Sequence, residues 1–339
     1  MSRQGIAACA VAAACGLAAV ACSSGSAASK QPHTVSAEKP VSIIYASPEL
    51  TNPNDVGTQT GIKLEARKLG ASVHFSDANG SVASQVAEVQ DAVASGKYQV
   101  LIINPLDNLA VEPAVEAAIA AGMKVVTVNE PIGPNLSALR PQLPGIVADV
   151  TQPAPTQGRR AGELVVQACQ TIASCGVVYL WGLKSVPIDH GVTNGFLSAI
   201  AGHPNIKLLS QNTECSFTVA GGITAAQDLS QIYRSARLWV GPDQCMVGAQ
   251  KVIANKNVQF IGISSASTQA VAGVKNGTWY GFSPVTPVAN GEEAVRYGVE
   301  AARGAHITGI GIDPAAQLPD GGLITKSDIG AFGPGQYTD

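Results

Sequence analysis

From Val41 onward the chain repeats one cycle: a short, nearly unbroken apolar run, a break of small or proline residues, then a longer stretch with apolar and small side chains at helical spacing. Val41-Ser42-Ile43-Ile44-Tyr45-Ala46 opens the cycle as a strand, and residues 56–69, closed by Gly70, complete it as a helix with a glycine stop. The pattern predicts further strands over residues 71–75, 100–103 and 124–128, with helices over 82–94 and 113–121 between them. A proline-rich stretch, 131–144, interrupts it. Helices over 160–171, 191–201, 223–230 and 247–254 then alternate with strands over 176–181, 207–210, 238–240 and 259–263. Strands that are apolar along their whole length must be covered on both faces, which a parallel sheet flanked by helices provides. Two such series predict an α/β fold of two doubly wound lobes, each with its own parallel sheet. Right-handed crossovers bring the strand C-termini of a lobe to one edge, where sheets of this kind bind ligands, so a ligand belongs in the crevice between the lobes.

Ahead of this body, Arg3 is followed by an uncharged apolar run from Ile6 to Ala21 and then by Cys22-Ser23-Ser24-Gly25-Ser26. That layout predicts a signal peptide over 1–22, too short to span a membrane. Residues 23–40, rich in Ser, Ala, Lys and Pro, are expected to form a flexible tether. Ala19-Val20-Ala21-Cys22 resembles a bacterial lipoprotein cleavage box, with Ala19 where such boxes prefer Leu. It marks Cys22 for lipid attachment, and a plain secretory signal is the alternative. The expected location is extracytoplasmic, at the outer face of the cell membrane in the periplasm or cell envelope.

Of seven cysteines, setting aside Cys9, Cys15 and Cys22 leaves Cys169, Cys175, Cys215 and Cys245. An even set in an oxidising compartment is expected to pair. Four cysteines allow three connectivities, and closeness in sequence favours Cys169–Cys175 and Cys215–Cys245. Their spacing fits no zinc template. Charged residues make up 13% of the chain, the net charge is -3, and neither sign is clustered, so nucleic acid is not an expected partner.

Several segments together resemble the ribose-binding-protein-like family of bacterial substrate-binding proteins, over nearly the whole chain from Val41 to Ile329. They are Ile102-Ile103-Asn104-Pro105-Leu106-Asp107, the run from Ala121 to Val128, Gly195-Phe196, the stretch from Asp243 to Ala249, Gly262-Ile263, Pro287 with Gly291, and Gly322-Leu323-Ile324-Thr325-Lys326. Repressors share this fold, but they carry a helix-turn-helix headpiece where this chain has its export signal. The resemblance implies a periplasmic binding protein of type I, a clamp whose lobes are joined by three crossings near residues 145–149, 281–285 and 317–319. The first lobe would take residues 41–146 and 286–318, the second 147–285 and 319–339. It also implies a monomer without cofactor that hands a sugar, polyol or related compound to the permease of an ABC transporter, with a sensor that signals to a membrane partner as the alternative. Closure by ligand requires contacts to both lobes, because only a contact absent from the open form shifts the equilibrium.

The resemblance also suggests ligand-binding residues. Asn52 stands at the family's Asn-Pro pair, Asn104 at its second asparagine, Phe217 at a ring-stacking aromatic and Asp243 in its Asn-Asp turn. Asn52 and Asn104 would serve equally as loop or strand-end caps, Phe217 as core, and Asp243 as an N-cap for the helix from Val247. Departures matter more. Asn54 and Asp55 replace two stacking aromatics, Asn129-Glu130 replaces an Asp-Arg pair, Val192 an arginine, Pro242 an asparagine, Ser264 an aspartate and Val285 a glutamine. With both family arginines gone and Glu130 added, an anionic ligand lacks its bidentate partner, so the expected ligand is neutral or cationic. Trp181, ending a predicted strand, and His190, in the loop expected after it, would line the site from the second lobe; the indole equally suits core, and Glu130 a solvated surface. An enzyme is not expected: the sequence has no Gly-x-Ser-x-Gly elbow, Walker loop, dinucleotide fingerprint or His-x-x-x-His pair.

Overall fold

The computed structural model describes residues 40–338; the expected signal peptide, Cys22 and tether residues 23–39 lie outside the described residues. The first sheet holds β1 (Ser42–Ser47), β2 (Ser72–Asp77), β3 (Val100–Ile103), β4 (Lys124–Asn129), β5 (Ile146–Thr151) and β11 (Ile310–Ile312), in the order β2-β1-β3-β4-β5-β11. The second holds β6 (Cys175–Trp181), β7 (Ile206–Glu214), β8 (Ala236–Pro242), β9 (Gln259–Ser265), β10 (Trp279–Pro284) and β12 (Ile324–Thr325), in the matching order β7-β6-β8-β9-β10-β12. Every pairing is parallel except β10 with β12. Two doubly wound lobes with parallel sheets, the expected fold class, are thus present.

Alternation along each strand builds both cores. Ile43, Tyr45, Ile102 and Val126 face one side of the first sheet, and Ile44, Leu101, Ile103 and Val125 the other. In the second sheet Val177, Tyr179, Ile261 and Ile263 oppose Val178, Leu180, Trp239 and Phe260. Each such side chain removed from water contributes about 1.5–3 kcal/mol, which is why continuous apolar runs commit these segments to central strands.

Helices α1 (Pro53–Leu69), α2 (Val82–Ser95), α3 (Glu112–Ala120) and α9 (Pro287–Ala302) cover the first sheet. The second carries α4 (Ala154–Ala168), α5 (Pro187–Ile200), α6 (Val219–Ile232), α7 (Asp243–Val252), α8 (Thr268–Asn276) and α10 (Ile329–Phe332). One helix pair in each lobe packs backbone to backbone. A Cβ on Gly61 would sit 1.9 Å from the Val288 carbonyl oxygen, joining α1 to α9; one on Gly158 would sit 1.8 Å from that of Val192, joining α4 to α5. Several helices begin earlier than the apolar periodicity predicts. Pro155 and Pro187 lie in the first turns of α4 and α5, where a missing N–H costs nothing, so α5 takes in His190, expected in a loop.

The first crossing needs correction. Residues 146–151, expected at the hinge and partly in the second lobe, form β5, fully buried between β4 and β11 of the first sheet. Asp149 within it hides the strand from an apolar count; its carboxylate accepts a hydrogen bond from Thr127 on β4, and burial pushes its pKa up to about 7. The chain therefore crosses at Gln152-Pro153, again at Val285-Thr286, and a third time over residues 313–323. Arg160 of α4 pairs with Asp313 of this last segment at 2.9 Å, both side chains nearly buried. Farther on, Gln336 Oε1 accepts from the Val288 N–H at 3.0 Å while the Gln336 N–H donates to Ala266 at 2.8 Å, so the chain end touches both lobes. Both favoured disulfides, Cys169–Cys175 and Cys215–Cys245, are present in the second lobe. Among the described residues no helix is long and apolar enough to cross a membrane.

Candidate functional site

In both sheets the strand order reverses beside the central strand, at β1 and at β6, so the loops that follow diverge and leave a crevice at the C-terminal edges. Two adjoining cavities fill it. One, of about 310 Å³, is lined by Asn52 and Asn54 from the first lobe and by Tyr179, Asp189, Phe217 and Ser264 from the second. The other, of about 160 Å³, lies against the crossings and adds Asn129, Glu130, Gln152, Gln157 and Asn290. Asn54, Asp189, Val192, Phe217 and Ser264 border both, so they form one cleft with walls from two lobes. A third cavity, of about 580 Å³, extends from Glu130 past Asn104 and Asp107 to Ile188 on α5.

The first-lobe wall is largely engaged with itself. Asn52 caps α1, its Oδ1 accepting from the Asn54 N–H at 3.0 Å, while it still borders the cleft. Asp55, expected as a contact, is buried: its carboxylate accepts from Tyr45 Oη, from Ser47 Oγ at 3.1 Å and from Asn104 Nδ2 at 3.4 Å. It lines none of the three cavities, and burial raises its pKa to about 6. Asn104 is accordingly the partner of Asp55 and reaches only the third cavity. Asn129 adopts a left-handed conformation, φ 64°, that turns its side chain between Thr58 Oγ1 at 3.1 Å and Asn290 Nδ2 at 2.9 Å. Such conformations cost about 1–3 kcal/mol each and persist where the surroundings enforce them.

Two further residues of this kind stand on the second wall. Phe217 (φ 51°) and Ser264 (φ 52°) both border the cleft. The Phe217 ring lies over Gly182, where a Cβ would meet it at 2.1 Å, and remains 39% exposed, so it presents a face to the opening. Cys215–Cys245 anchors the turn that carries it to the first turn of α7. Ser264 Oγ hydrogen-bonds to Gln157 Oε1.

Trp181, His190 and Asp243 do not line the cleft. The Trp181 indole N–H donates to the Gln211 carbonyl on β7 at 2.6 Å, and its ring meets that of His190 edge-on at 5.2 Å, so both turn outward against each other. His190 Nε2 also bonds to the Lys184 carbonyl at 2.8 Å. Asp243 is itself the first residue of α7 and not a cap for Val247. Its buried carboxylate accepts from the Ala266 and Ser267 N–H groups at 3.1 and 2.9 Å and from Tyr337 Oη at 3.1 Å, holding the β9 turn and the chain end together.

Glu130 and Asp189 are the carboxyls that border the second cavity. Burial and the proximity of Asp189 push the Glu130 carboxyl up to about 8; burial outweighs the Leu183 N–H bond at Asp189 and raises it to about 6. Asp189, Tyr179, Gln152, Gln157 and Asn290 were not expected here. Asp189 lies in the first turn of α5, in what reads as a loop. Gln152 follows the strand that Asp149 disguises.

Residues 43–306 match the periplasmic binding protein domain family. The chain belongs to that family. The ribose import binding protein RbsB of Escherichia coli (strain K12) is 28% identical over 271 residues, 80% of this chain against 77% of that one. The RbsB of Bacillus subtilis (strain 168) matches at 35% over 99 residues, 29% of this chain and 32% of the relative. Among solved structures, an ABC transporter solute binding protein from Mycobacterium smegmatis with bound glycerol superposes with a TM-score of 0.72 at 25% identity, over 89% of this chain and all, 100%, of that one. The Caulobacter myo-inositol binding protein shares the fold, with a TM-score of 0.71 at 20% identity, over 86% of this chain and 95% of its own.

Proposed function

We propose that this periplasmic binding protein captures a small, neutral or cationic polar solute of the sugar or polyol kind and presents its closed form to the permease of an ABC importer. The observation that carries the proposal is the shared cleft. Asn54 and Glu130 on one side and Asp189, Phe217 and Ser264 on the other border a single space, so one small molecule touches both lobes only when they are together. Its volume suits a monosaccharide-sized guest, at the small end of the range of about 300–1,000 Å³ for small-molecule sites. Phe217 offers a ring face, and the amides offer hydrogen bonds to hydroxyls. The relatives that import ribose and the neighbour holding glycerol favour the same solute class.

Anchoring by a lipid on Cys22 would keep the receptor beside its permease. Mass spectrometry of the protein from native membranes should find that modification, and Cys22→Ala should release the protein from the membrane. A thermal-shift screen of sugars, polyols and their amino derivatives tests the binding function. Saturating ligand stabilises the native state by mass action, by about 2.7 kcal/mol at a hundredfold excess over Kd. Chemical conversion of a hit, or a screen in which nothing raises Tm, would overturn the proposal.

A further inference from the structure

The cleft has an electrostatic asymmetry that a neutral sugar does not answer. Among the described residues, no lysine, arginine or histidine lines any of its three cavities, whereas carboxyls stand on both lobes, Glu130 after β4 and Asp189 on α5. Arg160, three residues beyond Gln157 on α4, lines none of these cavities and pairs through Nη2 with Asp313. The other charged groups nearby are Asp107 in the third cavity and His190 and Glu214 around Asp189. Opposed carboxylates in a closing, drying crevice resist closure unless a proton or a cation comes between them.

A second, independent observation concerns Gln152. It lies at the first crossing, borders the same cavity as Glu130 and Asp189, and is 3% exposed, yet neither its amide nitrogen nor its oxygen has a hydrogen-bond partner. Asn54 Oδ1, on the edge of the same cavity, is likewise buried without a partner. Buried amides are ordinarily satisfied, and this one offers a donor and an acceptor side by side.

From this arrangement we infer that the solute carries a protonated primary amine beside hydroxyl groups, as in an amino sugar or amino polyol: the ammonium bridges Glu130 and Asp189 across the cleft, and Gln152 pairs with an adjacent hydroxyl. The inference rests on the receptor function proposed above and narrows its ligand class. An ammonium has three donors, enough to reach carboxylates on two lobes at once, and it reaches both only in the closed form, so charge recognition and closure become one event. Because the Glu130 carboxyl holds its proton up to about pH 8 in the empty cleft, the arriving cation displaces that proton to solvent near neutral pH.

The test uses the purified protein and matched pairs at pH 7: D-glucosamine against D-glucose, D-galactosamine against D-galactose, and D-glucamine against D-glucitol, with N-acetyl-D-glucosamine as an uncharged amide control. In at least one pair the amine should raise Tm and bind at least tenfold tighter than its hydroxyl twin, and acetylation should erase the gain. Calorimetry in two buffers of different ionisation enthalpy should show a proton released on binding. Glu130→Gln should cancel that release, and Glu130→Gln and Asp189→Asn should each move the amine-to-hydroxyl ratio towards one. Hits confined to neutral members, or equal binding within every pair, would overturn the amine and leave the receptor standing. Failure of every compound in the wider sugar, polyol and amine screen would overturn both.

Discussion

The two walls of the cleft differ in how their polar groups are employed. On the first lobe, Asp55 is bound to Tyr45, Ser47 and Asn104, Asn52 caps α1, and Asn129 is held by Thr58 and Asn290. On the second, Asp189 and the exposed ring of Phe217 face the space, with a disulfide bracing the turn beneath the ring. Positions that carry the family motif in the first lobe therefore mostly hold their own wall in shape. Asn54 and Glu130 of that wall border the cleft opposite the second lobe.

The contrast can be broken first at the disulfides. Replacing Cys215 and Cys245 by Ala should lower unfolding free energy by about 3–4 kcal/mol and loosen ligand binding, since the bridge closes a loop of 30 residues beneath Phe217; loss of Cys169–Cys175, which closes 6, should cost about 2 kcal/mol and leave affinity alone. Denaturant titration and calorimetry read both. Asp55→Ala should cost about 3 kcal/mol of stability, because Tyr45 Oη, Ser47 and Asn104 lose one buried acceptor together. A variant of full stability would show that the first wall does not depend on it.

The Glu130 carboxyl sharpens the contrast through pH. Its folded-state pKa is raised from an ordinary 4.5 to about 8, so the folded state keeps a proton that the unfolded chain loses. Its favourable contribution is complete below 4.5, declines as pH rises, and is gone above 8. Between pH 5 and 7 the protein should lose about 2 kcal/mol relative to Glu130→Gln, and parallel Tm curves for the two proteins would refute this. Phe217→Ala should weaken ligand about tenfold with Tm of the empty protein nearly unchanged, given the exposure of the ring. At the small end, Trp181→Phe and His190→Ala should leave Kd within twofold, because both side chains face away from the cleft.

What was legible followed from burial. Continuous apolar runs in β1, β3, β4, β6 and β8 leave no option but central parallel strands, and Gly70 after α1 marks its stop through a left-handed φ of 63°. Illegible were places where tertiary partners neutralise a local signal. β5 carries Asp149, whose carboxylate accepts from Thr127 on the neighbouring β4, and the link from β4 to β5 runs through residues 130–145 without a helix. Prolines in the first turns of α4 and α5 mask helix starts, which moved His190 from an expected loop onto a helix and hid Asp189.

The amino-acid order alone therefore determined two α/β lobes and an even set of four cysteines with one pairing favoured among three, because burial pattern and composition are properties of the chain itself. Only the tertiary structure decided which polar groups remain free to meet a ligand. Asp55 and Asp189 are both carboxylates in the first turn of a helix beside the crevice, yet one is consumed by Tyr45 across β1 and the other looks into the cavity. Hydrogen-bond satisfaction is settled by neighbours distant in sequence, and no local pattern encodes it.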